Sequence, residues 1–321
     1  MDVQRQDRRR PRRSKAARRE ALEGFLFISP WMFGFLFFAA GPVIASLVLS
    51  FYKWNIIAPP QFVGVKNYAK MMHDPMIGWS LAVTLKYALF SIPLGMMGAL
   101  GIAMLLNQKL RAIRFYRTAF YVPSVTSGVA TLLLWSWLFH PNLGAINKFL
   151  YSLKVPWIVN GSLQLIHLIP NPPQWFGDPA WALPALIIMG LWGVGGGMII
   201  YLAGLQGIPE HLYEAALLDG ASSWQKFRHV TIPMLSPTIF FNLIMSIIGS
   251  FQVFNAAFVM TGGGPSNATM FYAFYLFNNA FVNFRMGYAS AMAWLLFLII
   301  LAITLVQFKV APRWVHYEGG R

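Results

Sequence analysis

Six long apolar stretches, separated by shorter polar segments, dominate the pattern of this chain. They lie at about 25–51, 81–106, 118–139, 183–205, 238–260 and 288–309. An α-helix needs about 20 predominantly apolar residues to cross the hydrocarbon core of a bilayer, and each stretch is long enough. The pattern predicts an all-α integral membrane protein with six transmembrane helices, in a domain over residues 25–310.

The composition agrees with a membrane protein. Of the 321 residues, 57% are hydrophobic and only 11% are charged, whereas soluble domains carry about 25% charged residues. The chain has no cysteine, which excludes disulfides and thiolate metal sites. We also find no grouping of residues typical of a catalytic or metal site, so the sequence does not predict an enzyme.

The distribution of the basic residues predicts the orientation in the membrane. Counted on alternate sides of the six stretches, 18 of the 25 Lys and Arg residues share a side with the N-terminus, and six lie opposite. Because Lys and Arg concentrate on the cytoplasmic side, we expect both termini in the cytoplasm, as tails 1–24 and 311–321, together with loop 206–237. Lys86 lies within a span, where a lysine reaching towards the surface is favoured over a functional ion pair.

The N-terminal tail is strongly basic, with nine Lys and Arg residues in positions 1–19. Nucleic-acid binding and a secretory signal are two alternatives. No nucleic-acid-binding domain follows the tail, and the next apolar stretch is too long for a signal core. A cytoplasmic tail that lies on anionic lipid is therefore the favoured interpretation, with no nucleic-acid partner.

Loop 206–237 contains the most distinctive local pattern. Pro209 and Glu210 suit the first turn of a helix, and Gly220 suits a left-handed C-cap. Ser222 or Ser223 is then expected to cap a second short helix that ends before Pro233. The pattern predicts a bent pair of short helices between two spans.

The same loop carries a family motif. Glu214-Ala215-Ala216 is followed after three residues by Gly220, and after nine more by a segment that ends at Pro233. This spacing resembles the EAA loop of ABC importer permeases. Two further segments, Phe62–Tyr68 and Thr261–Pro265, resemble stretches of the carbohydrate-importing, maltose and glycerol-phosphate permease-like members.

The resemblance implies the partners and the coupling residues. It implies a permease of the MetI and maltose-permease type in the bacterial inner membrane, with a second homologous permease subunit, two cytoplasmic ATP-binding subunits and an external solute-binding protein. ATP and Mg²⁺ would bind to the partner subunits, and this chain would bind no cofactor. The residues that would couple it to the ATPases are Glu214, Ala215, Ala216, Asp219, Gly220 and Pro233.

The fourth and fifth spans contain the candidate transport path. The fourth span is rich in glycine, and Asn242, Ser246 and Ser250 recur every four residues in the fifth, which places them on one helix face. Interhelical hydrogen bonding is an equally good explanation of that polar face. The resemblance to the maltose permease implies a substrate path at Ser124, Gly128, Gly190, Val194, Gly197, Ser246, Ser250 and Val253.

Small residues at several of these path positions suggest an oligosaccharide rather than a monosaccharide. The excess of basic residues on the outer side is compatible with an acidic oligosaccharide, but docking of an acidic binding protein explains it better. The alternative functions are a secondary transporter or channel that works without ATPases, and a membrane scaffold. The segment 163–173 is interpreted as an additional outer hairpin or loop.

Overall fold

The computed structural model describes residues 15–108, 111–126, 128–159, 162–167 and 171–316. Most of the predicted basic tail, residues 1–14, lies outside the described residues, as does the end of the C-terminal tail. The α-helices of the described chain are α1 (Lys15–Phe35), α2 (Gly41–Ser50), α3 (Lys66–Met72), α4 (Pro75–Leu106), α5 (Ile113–Val125), α6 (Gly128–Leu138), α7 (Ala145–Ser152), α8 (Pro179–Gly190), α9 (Gly195–Gln206), α10 (Glu210–Leu218), α11 (Ser223–Lys226), α12 (Ile232–Phe251), α13 (Tyr272–Phe277) and α14 (Met286–Val310).

Four continuous helical segments are long and apolar enough to cross a membrane. They are Arg19–Ser50, Pro75–Leu106, Ser223–Phe251 and Met286–Arg313. Two further candidate spans are pairs of helices joined at a bend. One pair is α5 and α6, bent by 96°, and the other is the segment Pro179–Gly193 and α9, bent by 47°. If each pair counts as one span, the number rises to six. The fold is therefore helical with four to six candidate spans.

The predicted bounds of the fifth span were wrong. The expected stretch was 238–260, but the helix begins at Ser223 and ends at Phe251. Hydropathy missed the first part because the Ser223–Thr231 segment is polar, although it continues into the apolar helix without a break. The helix is interrupted at residues 252–254, and the rest of the predicted stretch contains the short π-helical segment Ala257–Thr261.

The description as all-α needs a second correction, because two short antiparallel ribbons lie in connections between helices. β1 (Tyr52–Lys53) pairs with β2 (Gln61–Phe62), and β3 (Lys154–Val159) pairs with β4 (Ser162–His167). The second ribbon overlaps the first part of the segment 163–173, interpreted above as a hairpin or loop, and begins earlier, at Lys154. The alternation of apolar and polar residues in β4 favours a strand, and the sequence between β3 and β4 is Asn-Gly, the dipeptide that most favours a tight hairpin.

The helix α4 lies at the centre of the packing. One cluster of buried side chains joins it to α9 and α12, through residues such as Ala103, Met198 and Leu235. Small side chains at Ala99 and Ala103 allow the helix backbones to approach closely, as is common in membranes. A second cluster at the other end joins α4 to α14 through residues such as Ile77 and Met292.

A hydrogen-bonded carboxylate connects the elements at this second end of the bundle. Asp74 is the N-cap of α4, where its Oδ1 accepts from the Met76 amide at 3.0 Å. Its Oδ2 accepts from the hydroxyls of Tyr275 and Tyr288, each at 2.7 Å. Burial raises the pKa of the Asp74 carboxyl, but these hydrogen bonds and the Lys70 ammonium outweigh burial and leave the pKa below its ordinary value.

We predict that Asp74→Ala lowers the thermal stability of the purified protein more than Asp178→Ala. Both substitutions remove an N-cap acceptor, worth about 1 kcal/mol. Asp178 caps α8 through the Ala180 amide, whereas Asp74 also accepts hydrogen bonds from two tyrosines. Leaving each tyrosine hydroxyl without its acceptor costs about 1 kcal/mol more. Thermal melting in one detergent measures the difference, and equal losses would contradict the network.

The same network predicts a pH dependence. Because the folded pKa of Asp74 is lowered, its stabilisation is complete above the unfolded value of 3.8 and is lost as the pH falls through the folded value. The stability difference between the wild type and Asp74→Asn should therefore shrink in acid. A difference that stays constant between neutral pH and strong acid would show that the charge of Asp74 contributes nothing.

Candidate functional site

Loop 206–237, called the Glu214 loop from here on, begins with a short, exposed helix. Pro209 occupies the N-cap of α10 in an extended conformation, one position earlier than the first-turn position that the sequence indicated. The helix ends at Leu218, and Gly220 follows with φ +72°, the left-handed conformation predicted for it. No atom lies within 4 Å of a Cβ at Gly220, so the conformation of the backbone, rather than space, selects glycine there.

The second helix of the loop begins at a capping box. The Ser222 hydroxyl accepts from the Gln225 amide at 3.3 Å, and the Gln225 side chain accepts from the Ser222 amide at 2.7 Å. These two bonds satisfy donors that the first turn of a helix leaves free. Of the two predicted caps, Ser222 is the one that acts.

This helix does not end before Pro233, which corrects the sequence-based expectation. The segment Phe227–Thr231 is π-helical, and the Ile232 amide donates to the Phe227 carbonyl five residues back. The wider turn accommodates Pro233, which has no amide hydrogen, so that α11 continues into α12. The Glu214 loop is therefore directly connected to one 29-residue helix, Ser223–Phe251.

A second proline in this helix is compensated by a side chain. Pro237 cannot donate to the Pro233 carbonyl, and the Ser236 hydroxyl donates to that oxygen instead, at 2.6 Å. The same hydroxyl accepts from the His316 amide at 2.8 Å. The beginning of α12 is thus held by the C-terminal segment.

The surface of the loop contains most of the predicted coupling residues. Glu214, Ala215, Asp219 and Gly220 are exposed, Ala216 is half-buried, and Pro233 is half-buried within the long helix. Apolar side chains lie beside them without cover: Leu218 is 91% exposed and Trp224 is 65% exposed. Neither residue was among the predicted coupling residues, although apolar side chains in a short polar loop are a recognisable signal.

One side-chain contact links α10 to the long helix. The hydroxyls of Tyr213 and Thr231 lie 3.0 Å apart, and Thr231 also donates weakly to the Lys226 carbonyl at 3.4 Å. Tyr213 further packs against the core between α4, α9 and α12. The helix α10 is therefore in direct contact with the π-helical segment.

Two adjoining cavities lie between α4, the α8–α9 segment and α12, each with a volume of about 200 Å³. Six of the eight predicted path residues line them: Gly190, Val194, Gly197, Ser246, Ser250 and Val253. Gly190 and Ser246 line both cavities. Among the described residues that line them there is no Asp, Glu, His, Lys or Arg, so the surface is neutral and carries hydroxyls and one amide.

The polar face of α12 points into these cavities. The Asn242 amide donates to the Thr238 carbonyl at 3.0 Å, and the Ser250 hydroxyl donates to the Ile247 carbonyl at 2.8 Å. Both partners lie on α12 itself. In these two contacts, therefore, Asn242 and Ser250 do not join α12 to another helix, which was one of the two explanations of the polar face.

The structure does not bring the remaining two predicted path residues to either cavity. Ser124 lies near the end of α5, and its hydroxyl donates to the Tyr121 carbonyl at 2.7 Å. Gly128 begins α6 and is exposed. Ser124 lies instead beside Gly196 of α9, where a Cβ would be 4.0 Å from the Ser124 Cβ.

Sequence analysis missed the contribution of the second span. Tyr87, Ser91, Gly95 and Ala99 lie on α4 at steps of four residues, and together they line the two cavities. This is the same spacing that identified the polar face of α12. The periodicity was therefore present in the sequence.

Close packing between α9 and α12 shapes the wall of the path. A Cβ at Gly204 would lie 2.8 Å from both Leu235 Cδ2 and Thr238 Oγ1, closer than side chains approach each other. Nearer the cavity, a Cβ at Gly197 would lie 3.6 Å from Asn242 Oδ1, which is an ordinary contact. Gly204 is thus a packing residue, whereas Gly197 leaves space beside Asn242.

We predict that Gly204→Ala destabilises the protein, by about 1–3 kcal/mol, because the buried Leu235 and the Thr238 side chain must move or α9 must shift away from α12. Gly101→Ala is the matched control, since Gly101 is also within a helix and no atom lies within 4 Å of a Cβ there. Removing glycine from a helix is otherwise favourable. Thermal melting of both variants is the measurement; a loss for Gly101→Ala as large as for Gly204→Ala would contradict the packing argument.

The chain is similar in sequence to known transport proteins. The chain is 40% identical over 312 residues to the probable ABC transporter permease protein YesP of Bacillus subtilis (strain 168). The aligned part covers 96% of each protein. It is 34% identical over 307 residues to the lactose transport system permease protein LacF of Rhizobium radiobacter. That alignment covers 93% of this chain and 97% of the other protein.

A solved structure shares the fold. A chain of a bacterial ABC transporter involved in the import of the acidic polysaccharide alginate superposes with a TM-score of 0.75. The match covers 93% of this chain and 98% of the other, at 22% identity. The family described as binding-protein-dependent transport system inner membrane component matches residues 91–316. The chain belongs to this family of ABC transporter permeases.

Proposed function

We propose that this chain is the membrane permease subunit of an ATP-driven importer for a sugar. The observation that carries the proposal is the single helix Ser223–Phe251, which joins the exposed Glu214 loop to the polar face at Asn242 and Ser246. A movement of the loop would be transmitted along this helix to the cavities. The 34% identity to a lactose transport permease supports a sugar as the substrate.

The exposed loop would be the docking surface for two cytoplasmic ATP-binding subunits, which would bind ATP and Mg²⁺. Glu214 and Asp219 provide negative charge, and Leu218 and Trp224 provide the uncovered apolar area that a stable interface requires. Closure of the ATPase pair would push α10, and α12 would then shift against α4 and α9. The result would be alternating access to the path from the two sides of the membrane.

A second homologous permease would complete the path. Each cavity is smaller than the roughly 300–1,000 Å³ of pockets that enclose a whole ligand. The Gly190 side of the cavities is exposed in this chain, which is the arrangement expected if a partner subunit supplies the opposite wall. An external solute-binding protein, as the name of the family implies, would deliver the sugar.

The lining of the path bears on the substrate. Hydroxyls, an amide and the aromatic Tyr87 suit the hydroxyl groups and apolar faces of a sugar, and the glycines leave space for an oligosaccharide. An acidic oligosaccharide has no support from the path, because no basic side chain of the described residues lines it. The excess positive charge of the outer segments lies elsewhere.

The alternative, a secondary transporter or channel, makes a different prediction for the isolated chain. Coupling to protons normally requires ionisable side chains in the path. Reconstituting this chain alone and then with its ATPase and permease partners separates the two functions. Sugar uptake by the chain alone would overturn the proposal.

We predict that Gly190→Leu blocks sugar uptake by the reconstituted complex, by about tenfold or more, because a single side chain would obstruct both cavities. Gly101→Leu is the control, since Gly101 lies on α4 but lines neither cavity. Assembly of both variants with the partner subunits is checked by co-purification. Normal uptake by assembled Gly190→Leu would place the path elsewhere.

We also predict that Gly220→Val uncouples ATP hydrolysis from transport or releases the ATPase subunits, whereas Gly220→Asn preserves most activity. Valine is strained at φ +72°, while asparagine tolerates the left-handed conformation. The ratio of sugar transported to ATP hydrolysed is the measurement. If both variants behave alike, the conformation of Gly220 is not what the coupling depends on.

A further inference from the structure

Four basic residues surround one cavity at the end of the bundle away from the Glu214 loop. They are Lys53 next to α2, Lys66 and Lys70 on α3, and Arg285 immediately before α14. The cavity has a volume of about 280 Å³, and Trp54 and Tyr288 contribute aromatic surface to it. These four residues are most of the six basic residues that the charge pattern assigns to this side of the membrane.

None of the four cations forms a close ion pair in the described chain, although the Lys70 ammonium is near enough to Asp74 to help lower the pKa of its carboxyl. The ion pair found among the described residues joins Arg19 to Glu23. The nearby carboxylate of Asp74 is occupied by the two tyrosines and the Met76 amide. Lys70 instead lies over the Tyr288 ring, with Nζ 5.0 Å from its centre.

Such an arrangement attracts anions. Like charges around a small concave surface repel one another, and an anion in the cavity would relieve that repulsion. The beginning of α14 adds to the field, because the N-terminus of a helix carries partial positive charge. A phosphate group, with several acceptor oxygens, fits this donor set well.

The cavity is separate from the transport path. The path lies between α4, the α8–α9 segment and α12, and none of these elements contributes a residue to the basic cavity. The basic cavity is formed by the segment that follows α2, by α3 and by the residues at the start of α14. The positive charge therefore serves something other than the sugar path.

The position of the cavity at the ends of two membrane helices favours a lipid. The helices α2 and α14 leave apolar side chains exposed along the membrane, among them Ile44, Val48 and Leu298. Beside the cavity, Phe284 is half exposed, and Trp54 is an aromatic residue of the type found at the membrane interface. A phospholipid could place its phosphate among the cations and its acyl chains on these faces.

We propose that this cavity binds the phosphate-bearing headgroup of an anionic phospholipid from the leaflet on that side of the membrane. Lys66 and Lys70, one turn apart on α3, hold the phosphate from one side, and Lys53 and Arg285 hold it from the other. The bound lipid joins α2, α3 and α14 at one end of the bundle. Neither sugar recognition nor ATPase docking is required for this binding.

The experiment uses the full-length protein purified in detergent and exchanged into mixed micelles that contain phosphatidylglycerol or phosphatidylcholine. Native mass spectrometry counts the retained lipids, and thermal melting reports stabilisation by each lipid. Lys66→Gln/Lys70→Gln removes two charges from the cavity, whereas Lys66→Arg/Lys70→Arg keeps them. The control, Lys86→Gln/Lys148→Gln, removes two exposed charges that lie outside the cavity.

We expect the wild type to retain phosphatidylglycerol over phosphatidylcholine, and the glutamine variant to lose that retention about tenfold or more. The arginine variant and the control should behave as the wild type. Equal retention of both lipids, or equal loss in the control, would overturn the proposal. Displacement of the lipid by millimolar inorganic phosphate alone would also overturn it. A third contrary result would be a glutamine variant that retains the lipid normally but captures an external binding protein more weakly.

Discussion

In a bilayer every backbone polar group must find a partner within the protein, and the long helix that leads out of the Glu214 loop depends on this constraint. It contains Pro233 and Pro237, each of which removes a backbone donor. The π-helical segment before Pro233 and the Ser236 hydroxyl at the Pro233 carbonyl keep the helix continuous. If the helix were interrupted there, the loop and the polar cavities would be mechanically separate.

The second constraint is close packing of helix backbones without a hydrophobic driving force between them. Small residues provide it on both partners: Ala99 and Ala103 on α4, and Gly204 on α9 against Leu235. Where a glycine faces no neighbouring atom, as at Gly193, the same composition forms a cavity. Glycine thus has two roles on one helical segment, and the neighbours alone distinguish them.

Charge is arranged differently at the two ends of the molecule. At one end Glu214 and Asp219 lie on an exposed loop with Leu218 and Trp224, a combination suited to a protein partner. At the other end the cations gather around a cavity beside a carboxylate, Asp74, whose acceptor atoms are already used. Between them, the described lining of the path is neutral.

The sequence alone was sufficient for the class of fold, the family and the turn and cap of the Glu214 loop, although not for the continuation of its second helix through Pro233. Apolar length predicts spans, and the left-handed conformation at Gly220 and the cap at Ser222 follow from residue type and neighbours in the chain. The four-residue spacing also predicted the polar face at Ser246. These features depend on contacts within a few residues, which a sequence displays directly.

Tertiary structure decided the rest, because it depends on contacts between distant segments. Hydropathy could not show that Pro233 lies inside a continuous helix, nor that Ser124 and Gly128 lie outside the two cavities. It could not show that Lys53 and Arg285, more than 200 residues apart, share one cavity, since only the packing of α2 against α14 brings them together. The total charge of a segment is a property of sequence, but what that charge faces is a property of the fold.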